Sequence, residues 1–365
     1  MSATPLRMRS FLSVIIATVG MALATQASLA QAQPKSCHPD GKPTETEVIF
    51  NSSGGTYGEN VIKAFFTAFE KECGIKVTQV TDARTYAQMK QYVQSGNVPW
   101  DIGGTRADQE YPLGIKEGLF RELPANYWDG IKDQLTPGSY SAYGAWSTPY
   151  SDVLVYSTKA FPKGMKTWAD FWNVKDFPGP RTMQNSPANL VMALIADGVA
   201  PDKIYPLDLD RAFKKMDELR PHIRSYWTSG DQPVQGVANG EFVAGTAWNG
   251  RVNAALKAGK PVAPSWNGAL LRVSWNFILK GAPHPRAAEA LLYYMQRTEG
   301  QVELAKLSGY TGGNKNVVKV VDVDLAEALA TSPEHVKVAS VVDAQWWADN
   351  NAAVQARWSA WVAKQ

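Results

Sequence analysis

Binding chemistry concentrates in a few segments where a short apolar run gives way to Gly, Asn and Ser. The most pronounced is Gly245-Thr246-Ala247-Trp248-Asn249-Gly250-Arg251. The run Glu241 to Trp248 is bounded by Asn239-Gly240 and Asn249-Gly250, which predicts a fully buried strand turning sharply into a helix. Trp248 then stands at the carboxyl end of a strand, where open α/β sheets hold ligands. Its ring face would attract a cation, and the Arg251 guanidinium beside it would grip a carboxylate in bidentate fashion. A buried structural Trp at a tight turn fits the same residues, because Trp is usually largely buried.

Other segments repeat the pattern. Asn51-Ser52-Ser53-Gly54-Gly55-Thr56-Tyr57-Gly58 follows the strand-like Glu47 to Phe50. It lacks both Gly-x-x-x-x-Gly-Lys-Ser/Thr and Gly-x-Gly-x-x-Gly, so it reads as a loop offering backbone N–H groups, Ser52, Ser53 and Tyr57 to a small ligand. Trp100 to Arg106 is a short strand and a Gly-rich crest, with Arg106 either a solvated charge or an anion clamp. Tyr150 lies in the strand-like Ala145 to Ser157. Asn185-Ser186-Pro187 predicts a helix running to Gly198, with Ser186 as N-cap and a start that favours anions. Asp231 sits in the polar crest Thr228 to Pro233, and Arg272 and Ser274 lie in the strand Leu270 to Leu279.

Strands and helices must alternate to place these crests together. Val61, Ile62, Phe65, Phe66 and Phe69 recur at helical spacing, Gly74 ends that helix, and Ile75 to Val77 begins the next strand. Thr167 and Asp170 form a capping box before an aromatic helix. Trp347, Val354, Trp358 and Trp361 make one face of a C-terminal helix, a docking stripe in character. Tyr293-Tyr294 could hold a ferric ion as paired phenolates, but both sit mid-helix among Leu291, Leu292 and Met295, which reads as packing.

The chain has 365 residues, 45% of them apolar and 19% charged, enough for two domains with ample core. Arg7 and Arg9, an apolar run from Phe11 to Ala24, and the small residues Ser28, Ala30 and Ala32 predict a secretory signal peptide over residues 1–30. Without it, Lys+Arg falls from 37 to 35 against 34 Asp+Glu. That net of +1 offers no pull toward nucleic acid or acidic membrane. Exported chains meet an oxidising compartment, so Cys37 and Cys73 are expected to form a disulfide. The four histidines have no metal-ligand spacing, and no cofactor motif is present. A secreted hydrolase would need a nucleophile beside a base, and no Gly-x-Ser-x-Gly occurs.

Several segments, in order and spacing, carry a resemblance: Phe69 to Val77, Thr167 to Trp172, Asn239-Gly240-Glu241 with Ala247-Trp248-Asn249-Gly250, Gly309-Tyr310 with Asn314, and Trp346 to Asn350 with Trp358. The chain resembles periplasmic substrate-binding proteins of ATP-binding-cassette (ABC) importers, in the spermidine/putrescine-binding group. The resemblance implies a type II periplasmic-binding-protein fold, two α/β lobes with a hinge and a central ligand cleft, usually monomeric. One lobe would comprise residues 40–148 and 276–320, the other 149–275, with the helices of 321–365 packing across both. It implies location in the periplasm, capture of a small-molecule ligand, and delivery by the closed form to cognate permease transmembrane subunits, without chemistry. Carried over by position, it points to Ser52, Ser53, Tyr150 and Trp248. Where polyamine binders carry carboxylates, this chain has Asn185, Ala188 and Ser274. Unpaired ammonium ends would cost several kcal/mol per ion. Aromatic walls with Arg106, Arg251 and Arg272 suit instead a carboxylate-bearing or zwitterionic metabolite, and Asp231 could pair with an amine. A ferric-ion binder of the same fold is the in-class alternative.

Overall fold

The apolar runs flanked by Gly and Asn become strands that join into a single sheet. The computed structural model describes residues 37–41, 43–82 and 85–364, so the expected leader over residues 1–30 lies outside the described residues. The strands are β1 (Glu47–Asn51), β2 (Lys76–Val80), β3 (Ile102–Gly104), β4 (Tyr140–Ser141), β5 (Gly144–Ser157), β6 (Arg181–Gln184), β7 (Ile223–Trp227), β8 (Ala244–Trp248), β9 (Val262–Ile278) and β10 (Ser340–Val341). Their hydrogen-bonded order is β2-β1-β3-β9-β5-β8-β6-β7, with β4 on β5 and β10 on β9.

Two parallel wings result. β1 pairs parallel with β2 and β3, and β6 pairs parallel with β7 and β8. Parallel neighbours require long crossovers, and the helical segments between them supply these. The helix before β2 contains a π-helical turn at Ile62–Phe66 and stops at Gly74, whose φ of 64° a residue with a side chain adopts only with strain. The Thr167 capping box forms as its spacing predicts.

Between the wings, β5 and β9 run antiparallel to each other, with β9 antiparallel to β3 and β5 antiparallel to β8. Their pairing shifts register between Trp146 and Thr148 and again between Asp152 and Leu154. Such bulges bend and twist a strand pair. The stretch from Thr148 opposite Ser274 to Asp152 opposite Leu270 is therefore a waist in the middle of the sheet, set off by a bulge at each end. β9 starts at Val262 instead of Leu270: residues 262–265 pair with β5 beyond the second register shift, and Gly268, at φ 70°, lies in the unpaired stretch between.

Each lobe has its own core. Phe50, Phe65, Phe69, Ile278, Leu291 and Leu292 belong to the first, and Tyr293 and Tyr294 are buried with them, Tyr294 edge-on to Phe69 at 5.3 Å. Leu154, Trp168, Phe171, Leu190 and Phe213 belong to the second, and Trp347, Val354, Trp358 and Trp361 of the helix Ala344–Val362 are buried in it. That helix also touches Glu110–Lys116. Cys37 and Cys73 are joined in a disulfide.

One expected helix start is displaced. The helix after β6 begins at Asn189 rather than beside Ser186, and the Ser186 hydroxyl accepts the Ala188 N–H at 3.2 Å in a local turn.

Candidate ligand cleft

The carboxyl ends of β1, β3 and β8 and the start of the helix after β7 converge on one cavity of about 580 Å³ at the waist. Parallel wings facing one another across a pair of crossing strands place their strand ends and loops there.

Trp248 ends β8 and leads directly into the helix Asn249–Lys257. Asn249 is the clamp that fixes this turn: its Oδ1 accepts the Ser151 N–H at 3.0 Å and its Nδ2 donates to the Ala328 carbonyl at 3.2 Å. The Trp248 ring is half-buried, edge-on to Trp227 at 5.4 Å and to Tyr150 at 6.2 Å. Two glycines admit the aromatic wall. A Cβ at Gly230 would lie 2.5 Å from Trp248 Cε3, and one at Gly250 would lie 2.2 Å from Tyr310 Cζ. Tyr310 in turn faces Tyr57 at 6.2 Å, and the Tyr57 hydroxyl bonds to that of Thr148.

A largely buried charged cluster lies beside Tyr150. Arg272 Nη2 donates to Asp108 Oδ2 at 2.5 Å and Nη1 to Asp152 Oδ2 at 3.3 Å, with the guanidinium 5.6 Å from the Tyr150 ring centre. Burial opposes the Arg272 charge, but Asp108, Tyr150 and Asp152 more than offset it and hold its pKa well above the usual value. Burial pushes the Asp152 carboxyl up to about 6, against the pull of Arg272. Burial likewise keeps the Tyr150 and Tyr310 hydroxyls protonated, the latter pushed up to about 12.

Of the residues expected to contact ligand, Ser52, Ser53, Tyr57, Arg106, Tyr150, Asp231, Trp248, Arg251 and Ser274 line this cavity. Asn185 and Arg272 do not. Asn185 Oδ1 accepts the Trp358 indole N–H at 3.1 Å, which ties it to the C-terminal helix, and Arg272 is spent on Asp108 and Asp152. The Ser52 hydroxyl accepts the Gly54 N–H at 3.1 Å, shaping the first crest. Asp231 is 3.5 Å from Arg251 across the rim.

Trp146, Thr148, Asn276, Gln301 and Tyr310 also line the cavity and were missed from sequence. A signal existed for some of them. Thr148 and Tyr150 alternate along β5, as do Ser274 and Asn276 along β9, the period that puts residues on one face of a strand, whereas Trp146 lies across a bulge that no such period reveals. Gln301 carried none, because only the tertiary fold brings its helix beneath the cleft. Among the described residues, no group of three or more His, Cys, Asp or Glu side chains is arranged to hold a metal ion.

Residues 64–331 match the family described as bacterial extracellular solute-binding protein. The chain belongs to that family. The solute-binding protein is 32% identical over 345 residues, 93% of its length, to the gamma-aminobutyric acid-binding protein of Pseudomonas aeruginosa, 94% of which is covered. An ABC transporter substrate-binding protein from Bradyrhizobium japonicum superposes with a TM-score of 0.79 at 36% identity, covering 87% of this chain and 99% of that one. The Atu4243–GABA receptor structure gives a TM-score of 0.79 at 31% identity, with 87% and 98% covered. The two-lobed fold and cleft are thus those of ABC importer binding subunits, and this protein captures a small metabolite for such an importer. Nothing in these likenesses favours a ferric-ion carrier.

Proposed function

We propose that the ligand is a small zwitterion, an amino acid with well-separated amine and carboxylate of the size of γ-aminobutyrate, and that the protein binds it without chemical change. The observation that carries this is the balance of charge on the cavity wall: Arg106 and Arg251 line it with Asp231 as the sole carboxylate among the described residues. A diamine needs a carboxylate for each end, whereas this wall offers guanidinium forks for a carboxylate and an aromatic corner for an ammonium. Arg106 suits the anion-clamp role, because it is an exposed residue on the cavity wall and its backbone N–H, donating to Glu110 Oε2 at 2.6 Å, fixes the crest that carries it. The gamma-aminobutyric acid named in two of the related proteins agrees in chemistry.

The same reading assigns ligand contact to Ser52, Ser53, Tyr57, Arg106, Tyr150, Asp231, Trp248, Arg251 and Ser274. It takes residues 40–148 with 276–320 as one lobe, 149–275 as the other, and 321–365 as helices across both, which the bulged waist at 148–152 supports. Binding without catalysis fits a cavity that none of the four histidines lines. A periplasmic, monomeric protein cleaved near residue 30 completes the proposal.

A thermal-shift series on the mature protein tests the ligand. γ-Aminobutyrate at a hundredfold excess over its Kd is expected to stabilise the fold by about 2.7 kcal/mol. Strong stabilisation by putrescine, with no response to any carboxylate, would overturn the assignment.

A further inference from the structure

The aromatic wall is backed by a carboxylate that does not itself reach the cavity. Asp152 stands directly opposite Trp248 in the β5–β8 pairing, and Tyr150, two residues away on the same strand face, stands opposite Arg272 in the β5–β9 pairing. Asp152 is 2% exposed. Asp108 takes the larger share of the Arg272 guanidinium, accepting Nε at 3.0 Å and Nη2 at 2.5 Å, and leaves Asp152 a single bond of 3.3 Å. Asp152 Oδ1 and Trp248 Nε1 are both buried and, among the described residues, neither meets a partner in good hydrogen-bond geometry, yet the indole N–H is close enough to favour the ionised carboxylate. One guanidinium facing two carboxylates leaves the cluster with net negative charge when both are ionised.

We propose that Asp152 is a positioning residue that determines specificity: acting through Trp248 and Tyr150, it supplies the negative charge that seats the amine end of the ligand on the aromatic wall. This rests on the reading of the ligand as an amine-bearing carboxylate. A carboxylate close behind an indole N–H makes the ring face more negative, which strengthens its attraction to an ammonium. At 2% exposure the group has little hydration to balance it, so a cation at the wall is its complement. The other titratable groups facing Asp152 are Arg272, Asp108, Tyr150 and Tyr310, with Tyr205 beside the Asp108–Arg272 pair. Burial raises the pKa of all three tyrosines, so they stay uncharged. With its carboxyl held up at about 6, Asp152 gains charge, and the wall its preference for a cation, as pH rises through that value.

The test has a ligand-free arm and a binding arm, both on the full mature chain. With 5-fluorotryptophan incorporated and the Trp248 signal assigned by its absence in Trp248→Phe, fluorine NMR should show that signal moving with a midpoint near pH 6 and fixed in Asp152→Asn. A signal indifferent to pH, or moving equally in Asp152→Asn, overturns the inference. In calorimetry, Asp152→Asn is expected to bind γ-aminobutyrate about tenfold more weakly at pH 7.5, without the wild-type loss of affinity below pH 6. Affinity for butyrate, which lacks the amine, should stay unchanged. Unchanged γ-aminobutyrate affinity, or an equal loss for both probes, overturns it. Failure of the wild type to bind γ-aminobutyrate overturns the ligand reading instead, and the fluorine readout then decides the role of Asp152.

Discussion

Two tryptophans show how the same residue type takes different roles by position. Trp358 is 1% exposed in the second core, so Trp358→Ala should lower stability by about 3–5 kcal/mol in chemical denaturation. Trp248 is half-buried at the cavity, so Trp248→Ala should abolish measurable ligand binding while the melting temperature falls far less. A melting fall equal to that of Trp358→Ala would return Trp248 to a purely structural role. Gly250→Ala separates contact from fold in another way. Its methyl would displace Tyr310 from the cleft, costing about 1–3 kcal/mol and weakening binding in the same calorimetric assay. Asp152 gives stability a pH dependence of definite sign. Its carboxyl is raised from 3.8 to about 6, so the fold holds the proton more tightly than the unfolded chain. The stability this contributes is complete below pH 3.8 and is lost as pH rises through 6. Asp152→Asn should remove that decline from thermal denaturation profiles.

At the scale of elements, what was legible followed from local chemistry. The Thr167 capping box, the Gly74 stop and the C-terminal aromatic stripe were readable because each is set by residues within one or two turns. The helix after β6 was placed early because Ser186-Pro187 has the composition of a helix start, while the Ser186 hydroxyl closes a tighter turn first. The Cys37–Cys73 link fastens the N-terminal segment to the end of the first crossover helix, and neither cysteine lines the cavity. Replacing both cysteines with serine should cost about 2–4 kcal/mol in unfolding experiments and leave ligand affinity as it was.

Across the whole molecule, the waist of β5 and β9 joins the two parallel wings: among the described residues it is the one strand pair that carries sheet hydrogen bonding from one to the other. Ligand contacting both lobes must favour the arrangement in which they approach. A fall in radius of gyration on adding γ-aminobutyrate, measured by small-angle scattering, is the expected outcome. The sequence by itself determined the alternation of elements and the aromatic and polar crests, because period, capping and turn chemistry act over a few residues. Only the tertiary structure decided which charges face the cavity. Arg106 and Arg251 reach the cavity, whereas Arg272 turns to Asp108 and Asp152, and Asn185 to Trp358. A guanidinium buried beside carboxylates more than a hundred residues away in sequence is bound by long-range geometry, which no local pattern encodes.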